Sequence, residues 1–192
     1  MKYTQIPANT FKNIQLNAGV IVDDFEPDTG TIGNILGATS GGVNFSATSE
    51  FVDFGADIDN CPKNTKEMKK KGDTTAVLSG SFATVTAGLG KTLAGGADID
   101  SQDATHIVPR VDLEDADFTD LWWVGDYSDK NDGSTAGFCA IHMMNSLSTG
   151  GFQIQTTDKE KGKFSFKFTA HASISDQDVV PYEVYIKEGT AQ

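Results

Sequence analysis

Histidine and acidic side chains are the groups in this sequence that could perform acid–base chemistry. The three histidines are His106, His142 and His171, and any one of them could partner a serine and an aspartate in a hydrolase. The GxSxG turn that presents a nucleophilic serine is absent, since the nearest stretch, GATSG at 37–41, has the wrong spacing. Pairs of carboxylates could also cleave glycosides, but with 27 acidic residues in the chain such pairs are expected by chance and do not indicate this activity. We therefore expect no catalytic residues; a hydrolase with an unrecognised site is one alternative.

Two further patterns resemble ligand sites but lack required residues. The GKT segment at 90–92 matches the end of a phosphate-binding loop. That motif also requires a glycine five positions before Gly90, and this position is occupied by Val85. An EF-hand loop ending at Gly133 would need acidic residues at positions 128 and 130, which are serine and lysine. The acidic stretches are therefore interpreted as solvated loops, with weak calcium binding of another type as the alternative.

Cysteine content also argues against a metal centre. Cys61 and Cys139 are the only cysteines, and no CxxC or Cys/His cluster of the kind that binds zinc is present. The first residues, MKYTQIPANTFKN, lack the apolar stretch of a signal peptide. We expect reduced thiols in a protein made in the cytoplasm, with no metal and no cofactor.

The charge balance is strongly acidic. The 192 residues include 27 acids and 15 bases, for a net charge of −12, and Arg110 is the single arginine. Such a surface repels a polyanion, so a function that grips nucleic acid is disfavoured. A surface past which DNA must move without adhering would have the same balance. No apolar stretch approaches the ~20 residues that span a bilayer, so we expect no membrane insertion.

Apolar residues recur with a period of two, which is typical of β-strands with one buried face. A strand is predicted at 40–54, where Val43, Phe45, Ala47 and Phe51 share a face, and the clearest strands are predicted at 164–170 and 182–187. The run 74–86 lacks clean alternation but is rich in valine, threonine and phenylalanine, which predicts a strand covered on both faces. Additional strands are predicted at 13–22, 105–111, 118–126, 136–146 and 151–156. A turn-forming sequence, DKNDG at 129–133, separates two of them.

Helix-forming segments are few. Residues 61–71 place a proline in a first turn and lysines in a last turn, which favours a short helix. Residues 87–96 could form a second one, weakened by glycines. No linker-like segment divides the chain. We predict a single all-β domain over 1–192, mainly an antiparallel sandwich or barrel with one or two short flanking helices.

Trp122 and Trp123 are adjacent, so on a strand they point to opposite faces. One of them is expected in the core. The other could lie at an interface between subunits or on a carbohydrate-binding surface, because exposed aromatic side chains mark contact sites.

Four segments together resemble the major tail proteins, or tail tube proteins, of long-tailed bacteriophages and prophages. They are NIQLNAGVIVDDF (13–25), LGATSGGVNFSATSEFVDFGADIDNCPKNTKEMKKK (36–71), GGFQIQTTDKEKGKFSFKFTAHASI (150–174) and VPYEVYIK (180–187). They occur in the right order over most of the chain, and the stretch 98–136 resembles the family least.

The resemblance implies a tail-tube-like β-sandwich with a flanking helix. Six such subunits form a ring, and rings stack into a hollow tube through which the genome passes. The family's long loop between its second and third strands reaches into the neighbouring ring. The matching loop here is 55–72. The charged residues of this loop are the candidate stacking residues, namely Asp57, Asp59, Lys63, Lys66, Lys69, Lys70 and Lys71. The alternative for this segment is an ordinary surface helix. The domain is also expected to have an N-terminal arm at about 1–12.

The partners that the resemblance implies are further copies of this chain, a tail-tip or initiator protein, a tape-measure protein, a terminator protein and, in a contractile tail, a sheath. Genomic DNA would pass through the lumen without specific binding. The protein would belong to the virion tail and be assembled in the bacterial cytoplasm. The alternative function is a β-sandwich binding module, either a virion decoration or a carbohydrate-binding domain that uses Trp122 or Trp123 as its platform.

Overall fold

A computed structural model describes residues 5–7, 10, 14–126 and 137–188 of the chain. These residues form twelve strands and one α-helix, which are β1 (Val20–Val22), β2 (Phe25–Glu26), β3 (Thr31–Ile32), β4 (Thr39–Asp53), β5 (Lys69–Phe82), α1 (Ala87–Ala94), β6 (Ala97–Ile99), β7 (Ile107–Pro109), β8 (Thr119–Asp126), β9 (Phe138–Ser148), β10 (Gln153–Gln155), β11 (Lys163–Thr169) and β12 (Tyr182–Lys187). None of the described helices is long and apolar enough to cross a membrane.

The larger strands form two antiparallel sheets that share one core. The first sheet has the order β1–β8–β9–β12, and the second has the order β4–β5–β11–β10. The sheets join where the end of β9, at Leu147 and Ser148, pairs with β11. Among the described strands, β4 and β12 each pair on one side only, so the sandwich has open edges and is not a closed barrel. The predicted class, an antiparallel β-sandwich with a short flanking helix, is confirmed.

The core follows from the alternation along the strands. Phe164, Phe166 and Phe168 of β11 point inward with Leu78 and Phe82 of β5. The first sheet contributes its own buried side chains to the same cluster, namely Ile21, Leu121, Ile141 and Met143. Because Phe82, Phe168 and Leu78 are almost fully buried, each stabilises the sandwich by roughly 1.5–3 kcal/mol relative to an exposed side chain.

The short hairpin β2–β3 covers the opposite face of the first sheet. Phe25 contacts Trp122 and Phe138 edge-on, with ring centroids 5.6 and 5.1 Å apart. Asp23 and Asn34, which flank the β2–β3 hairpin, hold its two ends together. The Asp23 carboxylate accepts hydrogen bonds from the Asn34 side-chain amide and backbone N–H at 2.9 and 2.7 Å. The side-chain hydrogen bond to Asn34 is the main cause that lowers the pKa of Asp23.

Helix α1 matches the helix predicted at 87–96. Thr86 caps its start, since its hydroxyl oxygen accepts a hydrogen bond from the Leu89 N–H at 3.2 Å. Gly95 ends it in the left-handed conformation, with φ of 70°, which glycine adopts without steric cost. Leu89 and Leu93 pack into the core from the flank.

Three sequence-based expectations are corrected by the structure. Residues 61–71 do not form an α-helix, because Asn60 and Asn64 take left-handed conformations and only Lys66–Met68 makes one 3-10 turn. The strand predicted at 13–22 is reduced to β1, preceded by the left-handed residue Gly19. Phe51 does not share the buried face of β4. The N-terminal arm of 1–12 lies mostly outside the described residues, and the turn at 129–133 lies wholly outside them.

Candidate assembly surfaces

The hairpin of β4 and β5 extends well beyond the core. We call its distal part, residues 50–73, the hairpin arm. Strand pairing continues along it through Phe51↔Lys71, Val52↔Lys70 and Asp53↔Lys69, after a register shift between Ser49 and Phe51. The backbone pairing between β4 and β5 therefore continues into the hairpin arm, beyond the part of the hairpin that packs on the core.

The tip of the hairpin arm exposes large apolar side chains. Phe51 is 66% exposed, Phe54 61%, Ile58 49% and Val52 46%. We call these four side chains, which lie within eight positions and on both faces of the arm, the apolar patch; exposed apolar surface of this kind marks a contact site. The sequence pattern missed this patch because Phe51 fits the alternation of a buried face. The adjacent residues Phe51 and Val52 could have indicated it: they point to opposite faces of the strand and both are apolar, so they do not fit a strand with one buried face.

Polar contacts give the tip a defined shape without help from the core. The Asp53 carboxylate accepts hydrogen bonds from the backbone N–H groups of Gly55 and Asn64, at 3.0 and 3.1 Å. The Thr65 hydroxyl donates to the Pro62 carbonyl at 2.7 Å, and the Phe54 N–H donates to the Met68 carbonyl at 2.9 Å. The apolar patch is therefore presented by a folded loop.

All seven charged residues predicted for stacking lie on the hairpin arm and are exposed. Asp57, Asp59 and Lys63 lie in the loop, and Lys66 pairs with its neighbour Glu67 at 3.3 Å on the surface. Lys69, Lys70 and Lys71 belong to strand β5 rather than to a loop or helix. All seven charges therefore lie on the same arm as the apolar patch.

The two tryptophans point to opposite faces of β8, as expected. Trp122 is buried, stacks on His142 with ring centroids 4.1 Å apart, and contacts Phe25 and Tyr185. Trp123 packs against the main core, and its indole N–H donates to the Ala18 carbonyl at 3.0 Å. Neither ring is a flat exposed platform of the kind that binds sugars.

His142 forms a polar cluster that the sequence did not reveal. Its Nε2 lies 3.0 Å from Asp120, and its Nδ1 lies 3.7 Å from Glu183. Glu183 also accepts a hydrogen bond from the Tyr185 hydroxyl at 2.6 Å, which is the main cause that raises the pKa of Tyr185. These residues meet because β8, β9 and β12 are neighbours, so only the strand pairing could identify the cluster.

The histidines do not assemble a hydrolase triad in the described part of the chain. The hydrogen-bond and ion-pair partners of His142, His171 and His106 are carboxylates and a backbone carbonyl, with no serine or cysteine among them. Within the same residues, no group of three or more histidine, cysteine or acidic side chains is arranged to hold a metal ion.

Comparisons with known proteins gave likenesses to solved structures but no match to a family model or a curated protein. Among solved structures, the chain is similar to one described as "Tail of empty GTA particle computed with helical refinement, C6 symmetry", with a TM-score of 0.40 and 9% identity, over 81% of this chain and 92% of that chain.

Proposed function

We propose that the protein is a structural subunit of a phage-type tail tube, in which copies close into six-membered rings and the rings stack into a hollow conduit for the genome. The observation that carries the proposal is the hairpin arm, whose apolar patch is left exposed by the part of the chain that the structure describes. The sequence resemblance to major tail proteins supports the same function, since the family's stacking loop corresponds to this arm.

The hairpin arm is suited to contact between rings. Fully burying one large apolar side chain contributes roughly 1.5–3 kcal/mol, so Phe51, Phe54 and Ile58 together supply several kcal/mol per subunit when covered. The surrounding acids, such as Asp57, and bases, such as Lys63, would set the register of a head-to-tail contact. A contact between two different surfaces repeats along an axis, as a tube requires.

The open sheet edges are suited to contact within a ring. Strand β4 runs for 15 residues, and among the described strands it pairs on one side only, as β12 does in the other sheet. Long open edges pair readily with another chain. Rotational closure of such contacts would satisfy the edges and give a ring.

The remaining partners follow from this function. A tail-tip or initiator protein would start the tube, a tape-measure protein and a terminator would set its length, and a sheath would surround it in a contractile tail. The protein would be part of the virion tail after assembly in the bacterial cytoplasm. DNA would pass through the lumen without specific binding, in keeping with the acidic charge balance.

The proposal is tested by electron microscopy and light scattering of three purified proteins. We expect the wild-type chain to form hollow tubes with six-fold rings as its concentration is raised. The variant Phe51→Ser/Phe54→Ser/Ile58→Ser should lose tubes while it keeps the wild-type melting temperature, because these side chains lie outside the core.

The matched control is Lys63→Gln/Lys66→Gln, which alters the charge of the same arm and keeps its apolar patch. It should still form tubes if burial of the patch drives stacking. A wild-type protein that stays monomeric at every concentration and salt would contradict the tail-tube proposal. Tubes formed by the apolar variant as readily as by wild type would contradict the role of the arm.

A further inference from the structure

The β4–β5 hairpin has two different ends. The tip of the hairpin arm lies at one end. At the other end, Ile35 and Leu36 precede β4, and α1 follows β5. Strand β4 has 15 residues, so at about 3.3 Å per residue the two ends are roughly 50 Å apart. Because the paired strands hold the tip at this distance, a contact between the tip and the opposite end joins two different copies of the chain.

A groove opens at this opposite end, beside α1. It has a volume of about 330 Å³, and we call it the α1 groove. Leu89 of α1 and Leu121 of β8 line it and are buried, while Ile35 lines it and is 54% exposed. The acids Asp23 and Asp120 also line it. The α1 groove therefore offers apolar surface that an incoming apolar side chain would cover, next to two negative charges.

Gly88 leaves part of the α1 groove open. It lines the groove and is exposed, and a Cβ at this position would meet nothing within 4 Å. A larger side chain at position 88 would therefore stand in space that the described part of the chain does not fill.

An acidic segment, which we define as residues 97–120, adjoins the groove. Thr92 and Thr119 line both the groove and the hollow beside Asp117. Arg110, the single base of the segment, is already engaged by three of its acids. In the described part of the chain, no basic side chain pairs with the exposed Asp112 or Asp115. The eight acids of the segment are Asp98, Asp100, Asp103, Asp112, Glu114, Asp115, Asp117 and Asp120.

The hairpin arm has the complementary chemistry. Beside its apolar patch, residues 63–71 hold five lysines and a single acid, Glu67. Among the described residues, only Lys66 of these lysines pairs with an acid, which is Glu67. The arm's other acids lie outside this run and are Glu50, Asp53, Asp57, Asp59 and Asp73. One end of the hairpin thus combines apolar and basic side chains, and the other combines apolar and acidic ones.

We infer that the α1 groove is the acceptor for the hairpin arm of the next copy, with the apolar patch covering Ile35, Leu89 and Leu121 and the lysine run facing the acidic segment. This inference rests on the proposed tail-tube function and names the surface that the arm binds. Each copy has one arm and one groove at opposite ends, so the contact is heterologous and repeats along the stack. The stack then has one polarity, with free arms at one end and free grooves at the other.

Cross-linking in assembled tubes tests the inference. The background variant Cys139→Ser keeps Cys61 on the arm as its single thiol. Ile35→Cys adds a thiol in the α1 groove. The matched control, Thr157→Cys, adds one on the exposed β10–β11 turn, which lies at the same end of the second sheet because Phe164 pairs with Phe82.

Each double variant is co-assembled with an excess of the Cys139→Ser protein, so that tube formation does not depend on the added cysteine. The pelleted tubes are shown to contain the variant and are treated with a short bismaleimide. We expect a cross-linked dimer on a denaturing gel for Ile35→Cys and none for Thr157→Cys. Tubes of the Cys139→Ser protein alone report any product that joins two Cys61 residues.

Filling the groove is the second test. Gly88→Trp should keep a melting temperature close to that of wild type, since its side chain enters free space. It should raise the concentration at which tubes appear by roughly tenfold or more, because losing the burial of one large apolar side chain has an effect of that size. Thr157→Trp, a bulky change outside the groove, should form tubes as wild type does.

The outcomes separate the two proposals. Tubes that contain Ile35→Cys but give no cross-linked dimer would overturn the acceptor site and leave the tail-tube function standing. Tubes of Gly88→Trp at the wild-type concentration, or equal cross-linking of Thr157→Cys, would do the same. Absence of tubes from the wild-type protein would overturn the proposed function and this inference with it.

Discussion

Arg110, the single arginine, is committed to contacts within its own chain. Its side chain is only 18% exposed and lies between three carboxylates. Nη2 is 2.7 Å from Asp117, whose side chain is 4% exposed, and Nη1 lies 3.3 Å from Glu114. Nε faces Asp98 at 2.8 Å without the alignment of a hydrogen bond. The one guanidinium of the chain therefore stabilises the β6–β7 region and is not presented to a phosphate.

Replacing Arg110 tests this interpretation. Arg110→Met should lower the free energy of unfolding by about 3 kcal/mol, because it leaves the Asp117 carboxylate buried without its cation. Arg110→Lys should cost less, since it keeps the charge but loses the forked geometry. Denaturant unfolding measures both effects. Adding Asp117→Asn to Arg110→Met should restore part of the lost free energy of unfolding, because it removes the unpaired carboxylate. If the Arg110→Met protein were as stable as wild type, the ion pairs of Arg110 would make no net contribution to stability.

At the scale of the element, Gly88 in helix α1 and Gly95 at its C-cap have opposite structural roles. Gly88 is exposed in the first turn, and a Cβ at this position would meet nothing within 4 Å. Gly95 has φ of 70°, and a Cβ there would overlap the Ser148 carbonyl oxygen. Ser148 is itself tied to the helix, since its hydroxyl donates to the Leu93 carbonyl at 2.9 Å. The helix end thus depends on glycine and its start does not.

The two glycines give a matched pair of substitutions. Gly88→Ala should raise the free energy of unfolding by up to about 0.5–1 kcal/mol, because alanine reduces the conformational entropy of the unfolded chain and favours helix. Gly95→Ala should lower it by at least about 1 kcal/mol, since the left-handed conformation is unfavourable for alanine. Thermal or denaturant unfolding provides the comparison. Equal effects of the two substitutions would refute the assigned helix end.

The hairpin arm shows how one element can combine two roles. Near the core, β5 buries Ala76 and Leu78, and β4 packs Phe45 and Ala47 against them. Beyond the register shift at Ser49 and Phe51, the same strands leave the core and expose Phe51 and Val52. The ladder of backbone hydrogen bonds keeps the arm extended, so a patch that would otherwise collapse onto the subunit remains available to a partner.

For the whole molecule, charge opposes assembly. Each subunit carries a net charge of −12, so subunits that come together repel one another over a Debye length of about 30 Å at 10 mM salt and about 8 Å at 150 mM. We expect the concentration at which tubes appear, measured by light scattering, to fall as salt is raised over this range. A rise instead would mean that attraction between opposite charges, such as those of Asp57 and Lys63, dominates the contact between rings.

The sequence by itself determined the local structure and the charge of this protein. A period of two in Phe164, Phe166 and Phe168 identifies a strand because alternate side chains of any strand face the same side. Likewise, glycine after the periodic residues of 87–94 marks a helix end, and the charge balance depends on composition alone. These properties are set by neighbouring residues, so they are visible without the fold.

Only the tertiary structure decided which surfaces are covered. Phe51 has the same spacing as Phe45, but Phe45 packs on the core and Phe51 lies beyond it, because the length of the hairpin exceeds the width of the sandwich. The cluster of Asp120, His142 and Glu183 depends on the order β8–β9–β12. Burial and proximity come from long-range pairing, which local patterns do not encode.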